Sequence, residues 1–133
     1  MKYLLDTNVC IAYLNNRNAN VVQEIKASKP EDLFLCQIVK AELIYGAYKS
    51  ARQVENLALL GKFLHQFGSL PFNDESVEAY GQIRAKLDKI GKPIGFNDLI
   101  IASIALAHDI TLVTHNVREF SRVSHLEIVD WIQ

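Results

Sequence analysis

Brief apolar runs punctuate this chain, and the helix-length segments between them leave few architectures open. Tyr3-Leu4-Leu5, Leu33-Phe34-Leu35-Cys36, residues 69–72, Thr111-Leu112-Val113-Thr114 and residues 126–129 read as short, largely apolar strands. Runs that are apolar on both faces belong to a sheet covered on both sides, and alternation with helices makes that sheet parallel. Helical spacing is predicted for residues 9–14, 21–27, 38–48, 54–67 and 117–122. In the third of these, Ile38, Ala41, Tyr45 and Tyr48 form one apolar stripe, expected to face the core. Asn73 or Asp74 can cap a further helix with apolar positions Val77, Tyr80, Ile83, Leu87 and Ile90. Two glycines and a proline make residues 91–95 a loop, and Asn97 or Asp98 opens a nearly all-apolar helix to His108. The fold class is therefore α/β, a parallel sheet between helix layers, whose sites collect beyond the carboxyl ends of the strands.

With 133 residues, 50% of them hydrophobic and 22% charged, the chain can bury one core, and a single domain over 1–133 is expected. Fourteen Lys and Arg against fifteen Asp and Glu exclude a polycation, though segregated charge can still serve nucleic acid. Cys10 and Cys36 fit no Cys-x-x-Cys pattern and read as small buried residues in a reducing compartment. Asp6 interrupts the first apolar run too early for a signal peptide, and residues 99–107 are too few to cross a bilayer. These features lead to the expectation of a cytoplasmic protein with no membrane partner.

Three acids sit where acids are hard to explain. Asp6 directly follows the first strand, Glu42 lies on or beside its helix's apolar stripe, and Asp98 occupies the first turn of the most apolar helix. Asn116 follows the fourth strand. Each has a plain alternative: Asp6 and Asp98 as helix caps, Glu42 reaching to a helix edge, Asn116 bonding its own backbone in a turn. If the first and fourth strands are neighbours, all four side chains meet at one edge. Carboxylates 4 Å apart repel by about 4 kcal/mol at an effective dielectric of 20, so such a cluster needs a proton or a cation. Oxygen-only ligands select a hard ion, Mg²⁺ or Mn²⁺, whose natural chemistry is metal-assisted phosphoryl transfer.

Other chemistries fail on their parts. His65, His108, His115 and His125 lack metal-ligand spacing, and no nucleophile elbow, phosphate loop or dinucleotide loop is present. Arg84, Lys86, Lys89 and Lys92 precede Asp98, while Arg118 and Arg122 follow Asn116. These cations are either solvated helix faces or a rim that tracks RNA.

Four stretches carry a resemblance. They are Leu4-Leu5-Asp6-Thr7-Asn8, Glu42-Leu43-Ile44-Tyr45-Gly46-Ala47, Pro93-Ile94-Gly95-Phe96-Asn97-Asp98 with Ile101-Ala102, and Val113-Thr114-His115-Asn116 with Arg118-Glu119-Phe120. In this order and spacing the chain resembles the PIN-domain nucleases, in particular the VapC toxins of toxin–antitoxin pairs. The resemblance implies a three-layer α/β/α domain with a mainly parallel sheet of four or five strands. It implies an endoribonuclease dependent on Mg²⁺, with Mn²⁺ as a substitute, held by Asp6, Glu42 and Asp98. Such enzymes hydrolyse a phosphodiester with a metal-activated water, leaving 5′-phosphate and 3′-hydroxyl ends. Asn116 stands at the family's fourth acidic position, Glu119 is a candidate for the missing charge, and Thr7 and Thr114 match hydroxyl positions lining the pocket. His115 replaces the asparagine more usual in the subgroup.

Gly81-Gln82-Ile83-Arg84-Ala85 and Arg118-Glu119-Phe120-Ser121-Arg122-Val123 are most similar to enteric VapC toxins, which cut initiator tRNA in its anticodon stem-loop. The family also implies a homodimer and a VapB-type antitoxin, whose Arg or Lys would pair with an acidic pocket. Two readings compete with an RNA-cleaving toxin: a non-catalytic PIN module that only binds RNA or protein, and the same chemistry directed at DNA.

Overall fold

The computed structural model describes residues 1–132; the expected domain end at residue 133 lies outside them. Five short strands form the sheet: β1 (Tyr3–Leu5), β2 (Leu33–Cys36), β3 (Gly68–Leu70), β4 (Thr111–Val113) and β5 (Ile128–Val129). Every pairing is parallel, in the order β3-β2-β1-β4-β5. Seven α-helices accompany the described strands: α1 (Thr7–Leu14), α2 (Ala19–Ala27), α3 (Gln37–Lys49), α4 (Gln53–Leu64), α5 (Asp74–Lys89), α6 (Phe96–Ala107) and α7 (Val117–Phe120). A 3₁₀ turn at Pro30–Asp32, not foreseen from periodicity, leads into β2.

From β1 the chain steps outward through β2 to β3, then returns to the other side of β1 to lay down β4 and β5. Right-handed crossovers on such a path put α1–α4 on one face and the later helices on the other, giving the expected α/β/α layers. The reversal falls between β1 and β4, paired from Tyr3↔Thr111 to Leu5↔Val113. Ligands bind at such a reversal, outside the carboxyl ends of the strands.

Leu4, Leu5, Leu35, Leu112 and Val113 are fully buried between the layers, with Val9, Val39, Ile101 and Ile104 closing over them. Cys10 and Cys36 are free thiols within this core, as expected, and burial pushes both well above the ordinary thiol range. Gly91 has φ +70°, a left-handed turn residue that ends α5 at little steric cost. Asn73, not Asp74, caps α5, accepting from the Ser76 amide. Gly95, with no side-chain cap, opens α6, so Asp98 lies inside its first turn and is not a cap.

The apolar stripe assigned to α3 is corrected. Its buried residues are Val39, Leu43 and Ala47, whereas Tyr45 and Tyr48 are exposed. The helix is apolar on more than one side, so spacing by itself does not select the inward face. Along α5, likewise, Ile83 and Leu87 are buried while Val77, and Ile90 just past the helix end, are exposed. Among the described residues no helix is long and apolar enough to cross a membrane.

Candidate active site

Asp6 is held at the reversal of the sheet. Its amide donates to the Val113 carbonyl (2.9 Å), continuing the β1–β4 ladder one residue beyond β1. Its carboxylate Oδ1 accepts from the Thr7 amide (2.8 Å) and so caps α1. Oδ2 accepts from the buried Thr114 hydroxyl (2.8 Å), just past β4. The cap reading of Asp6 is thus correct, but it accounts for one oxygen and leaves a buried carboxylate facing a pocket.

Neighbouring elements deliver the rest. Glu42, half-buried at the edge of the α3 core face, accepts from the Thr7 hydroxyl at 2.7 Å. Asp98 projects from the first turn of α6, where the Asn116 side-chain amide donates to its Oδ2 at 3.2 Å. The same amide donates to Glu119 Oε2 at 2.9 Å, bridging the two acids. The Asn116 backbone amide donates to the Thr114 hydroxyl at 3.0 Å, so that hydroxyl links Asp6 to the β4–α7 turn. Asn116 is therefore no simple turn residue: its side chain reaches α6 and α7.

Asp6, Thr7, Asn8, Glu42, Asp98, His115 and Asn116 line one open pocket of about 340 Å³. Thr114 stands behind Asp6, and Glu119 joins through Asn116. All seven positions named from the sequence converge on one place. Asn8 and His115 complete the lining. The signal for Asn8 was its place two residues after Asp6; for His115 it was adjacency to Asn116. Nothing in the sequence pointed to Asp130, which accepts from or shares a proton with His115 Nδ1 at 2.9 Å and is itself fixed by the Ile132 amide.

The electrostatics are unfavourable as they stand. Among the described residues the ion pairs are Arg52–Glu55 and His115–Asp130, and neither neutralises Asp6, Glu42 or Asp98. Burial raises the Asp6 carboxyl above its ordinary value; the Thr114 and Thr7 hydrogen bonds oppose the rise, and the Glu42 charge adds to it. Asp98 is pushed up to about 6, first by burial, then by the Asp6 charge, its hydrogen bond to Glu119, and the charges of Glu119 and Glu42.

An all-oxygen donor set fits a hard divalent cation, and the unpaired negative charge supplies the driving force to take one up. Among the described residues no three His, Cys, Asp or Glu side chains are drawn into a ready-made ligand set. Asp6, Glu42 and Asp98 share the pocket wall, each accepting a hydrogen bond from a threonine or asparagine.

Comparison with known proteins gives the family. The PIN domain profile matches residues 3–126. Ribonuclease VapC2 of Rickettsia felis is 36% identical over 132 residues, 98% of each chain. The tRNA(fMet)-specific endonuclease VapC of Shigella flexneri is 36% identical over 131 residues, again 98% of each. Among solved structures, VapBC2 of Rickettsia felis bound to a promoter DNA fragment superposes with a TM-score of 0.90 at 35% identity, covering 98% of this chain and 99% of that one. By its profile match, its full-length relatives and its acidic pocket at the β1–β4 reversal, the chain belongs to the PIN domain family and, within it, to the VapC proteins.

Proposed function

We propose that this protein is a metal-dependent endoribonuclease that acts as a growth-arresting, translation-inhibiting toxin in the cytoplasm. The observation that carries the reading is the gathering of Asp6, Glu42 and Asp98 on one pocket wall with, among the described residues, no ion pair to neutralise them. Held by these three acids, Mg²⁺ (or Mn²⁺) would offset phosphate charge and orient the attacking water; the family resemblance implies 5′-phosphate and 3′-hydroxyl ends. The chain's own residues set the geometry for this step. Thr114 and the Thr7 amide fix Asp6, the Thr7 hydroxyl holds Glu42, and Asn116 keeps Asp98 and Glu119 beside each other. Asn116 serves as a neutral positioning group in place of a fourth acid.

The name of the Shigella flexneri relative supports tRNA, with the initiator tRNA anticodon stem-loop as the first substrate to try. The VapBC neighbour supports a VapB-type antitoxin as partner. A groove of about 450 Å³ between α1, α3 and α4, lined by Ile11, Leu14, Leu43, Leu59 and Phe63, has Glu42 in its wall. An antitoxin tail could lay apolar side chains there and pair a basic residue with the acids next door. A homodimer accompanies this reading; exposed Tyr45, Tyr48 and Val54 around the α3–α4 turn offer apolar surface to a second copy.

The test is incubation of the purified protein with labelled tRNA, with Mg²⁺ or EDTA, beside Asp98→Asn. Cleavage that needs Mg²⁺ and disappears in the variant is expected. Wild-type-like cleavage by Asp98→Asn would overturn the assignment, and binding without cleavage by the native protein would favour the non-catalytic module. Matched RNA and DNA stem-loops, run side by side, decide between the two polymers.

A further inference from the structure

A strip of side chains along α5 and the start of α6 has no task in the chemistry above. The Arg84 guanidinium carbon lies 4.8 Å from the Phe96 ring centroid and 6.0 Å from that of Tyr80. Its Nη1 donates to the Tyr80 hydroxyl at 3.1 Å, which fixes the guanidinium over Phe96. Tyr80 in turn meets Phe72 edge to face at 6.2 Å. Phe96 is 62% exposed and Phe72 44%, so ring surface stays open to solvent with the arginine in place. Beside this stack a notch of about 140 Å³ lies among Arg84, Leu87, Asp88, Pro93 and Phe96.

The strip shares the first turn of α6 with Asp98 of the acidic pocket. Phe96 precedes Asp98 by two residues, about 5 Å between Cα atoms in a helix, with side chains on roughly opposite faces of the turn. Arg122, one turn beyond Glu119, donates to the Pro93 carbonyl at 3.0 Å, bringing a second guanidinium to the loop that leads into Asp98. A cation held by the acids would serve the scissile phosphate alone, so attraction for the flanking nucleotides is supplied outside that pocket. Aromatic faces and guanidinium planes stack on unpaired bases of any identity, while arginines pair with the flanking phosphates. A purely apolar strip would suit a second copy of the chain; a cation held over an open ring suits a base with its phosphate.

We propose that the Phe96–Arg84 stack, with Arg122 beside it, is a stacking subsite for an unpaired nucleotide neighbouring the scissile phosphate of the RNA. The proposal takes its substrate from the nuclease reading, and the experiment separates the two. Full-length Phe96→Trp protein in EDTA, where no cleavage is expected, is titrated with a short unstructured RNA. Stacking quenches the new indole, so saturable quenching is expected that is absent from the native protein, whose Trp131 is buried, and absent with a fully paired duplex. In Mg²⁺, Phe96→Ala is expected to raise KM for a stem-loop RNA about tenfold, the loss of one base–ring stack, with kcat nearly unchanged. Arg84→Gln should behave likewise, and Phe96→Trp should restore the native KM. Cleavage with native KM in Phe96→Ala and no quenching in Phe96→Trp would overturn the subsite and leave the nuclease reading intact. Loss of a dimer in Phe96→Ala, read by sedimentation, would overturn it in favour of a face between copies. A native protein that cleaves no RNA would instead overturn the nuclease reading itself.

Discussion

Replacing Asp98 with asparagine should make the metal-free protein more stable, and the gain should vanish in acid. In the folded chain the Asp98 carboxyl titrates at about 6 against an ordinary 3.8. The folded state therefore binds more protons than the unfolded state between those values, and stability falls as pH rises through that window. Above the window the whole electrostatic cost is in force; below 3.8 it is absent. A shift of this size amounts to about 3 kcal/mol for a fully shielded carboxyl. Asp98 is half-buried at the pocket wall, and solvent screening reduces the figure to roughly 1–2 kcal/mol. Asparagine keeps an oxygen for the Asn116 amide and can donate to Glu119, so the contacts survive while the charge goes. For a chain of this size the gain corresponds to a rise in Tm of about 3–8 °C. Thermal melts of both proteins in EDTA at pH 7.5 and pH 4 measure it. A variant no more stable than the native protein at pH 7.5, or equally stabilised at pH 4, would refute the electrostatic account of this pocket. Adding Mg²⁺ to one hundred times its Kd should then stabilise the native protein by about 2.7 kcal/mol and the variant far less.

Other outcomes follow from the same geometry. Mg²⁺ affinity, read by isothermal titration calorimetry, should weaken as pH falls from 7.5 to 5, because Asp98 takes up a proton near 6. Thr114→Val removes the hydroxyl that Asp6 Oδ2 and the Asn116 amide share, and should lower stability by about 1–3 kcal/mol in urea titrations while also slowing cleavage. Leu112→Ala, at a fully buried site in the central β4, should cost about 2–5 kcal/mol of unfolding free energy while the far-ultraviolet circular dichroism stays native.

Much of this molecule is legible in its sequence. Short, largely apolar strands alternating with helices admit little but a covered parallel sheet, and β1, β2 and β4 fall within a residue of their apolar runs, whereas β3 is a partly exposed edge. Acids at a strand end, beside an apolar stripe and in the first turn of a buried helix stand out because isolated burial of a carboxylate is expensive. Which way a helix turns is less legible where apolar residues occur on several sides. In α3 the spacing selects Ile38, Ala41, Tyr45 and Tyr48, and packing against the neighbouring layers buries Val39, Leu43 and Ala47 instead.

Residue types and their spacing therefore determine the strand–helix alternation, the covered sheet and the identity of the acids. Tertiary structure decides that β4 lies beside β1, and with it that Thr114 meets Asp6 across 108 residues and Asn116 joins α6 to α7. The reason is physical. Local pattern reports the free energy of burying a face, whereas strand order follows from how crossovers and helix layers pack together, which no short window of sequence contains.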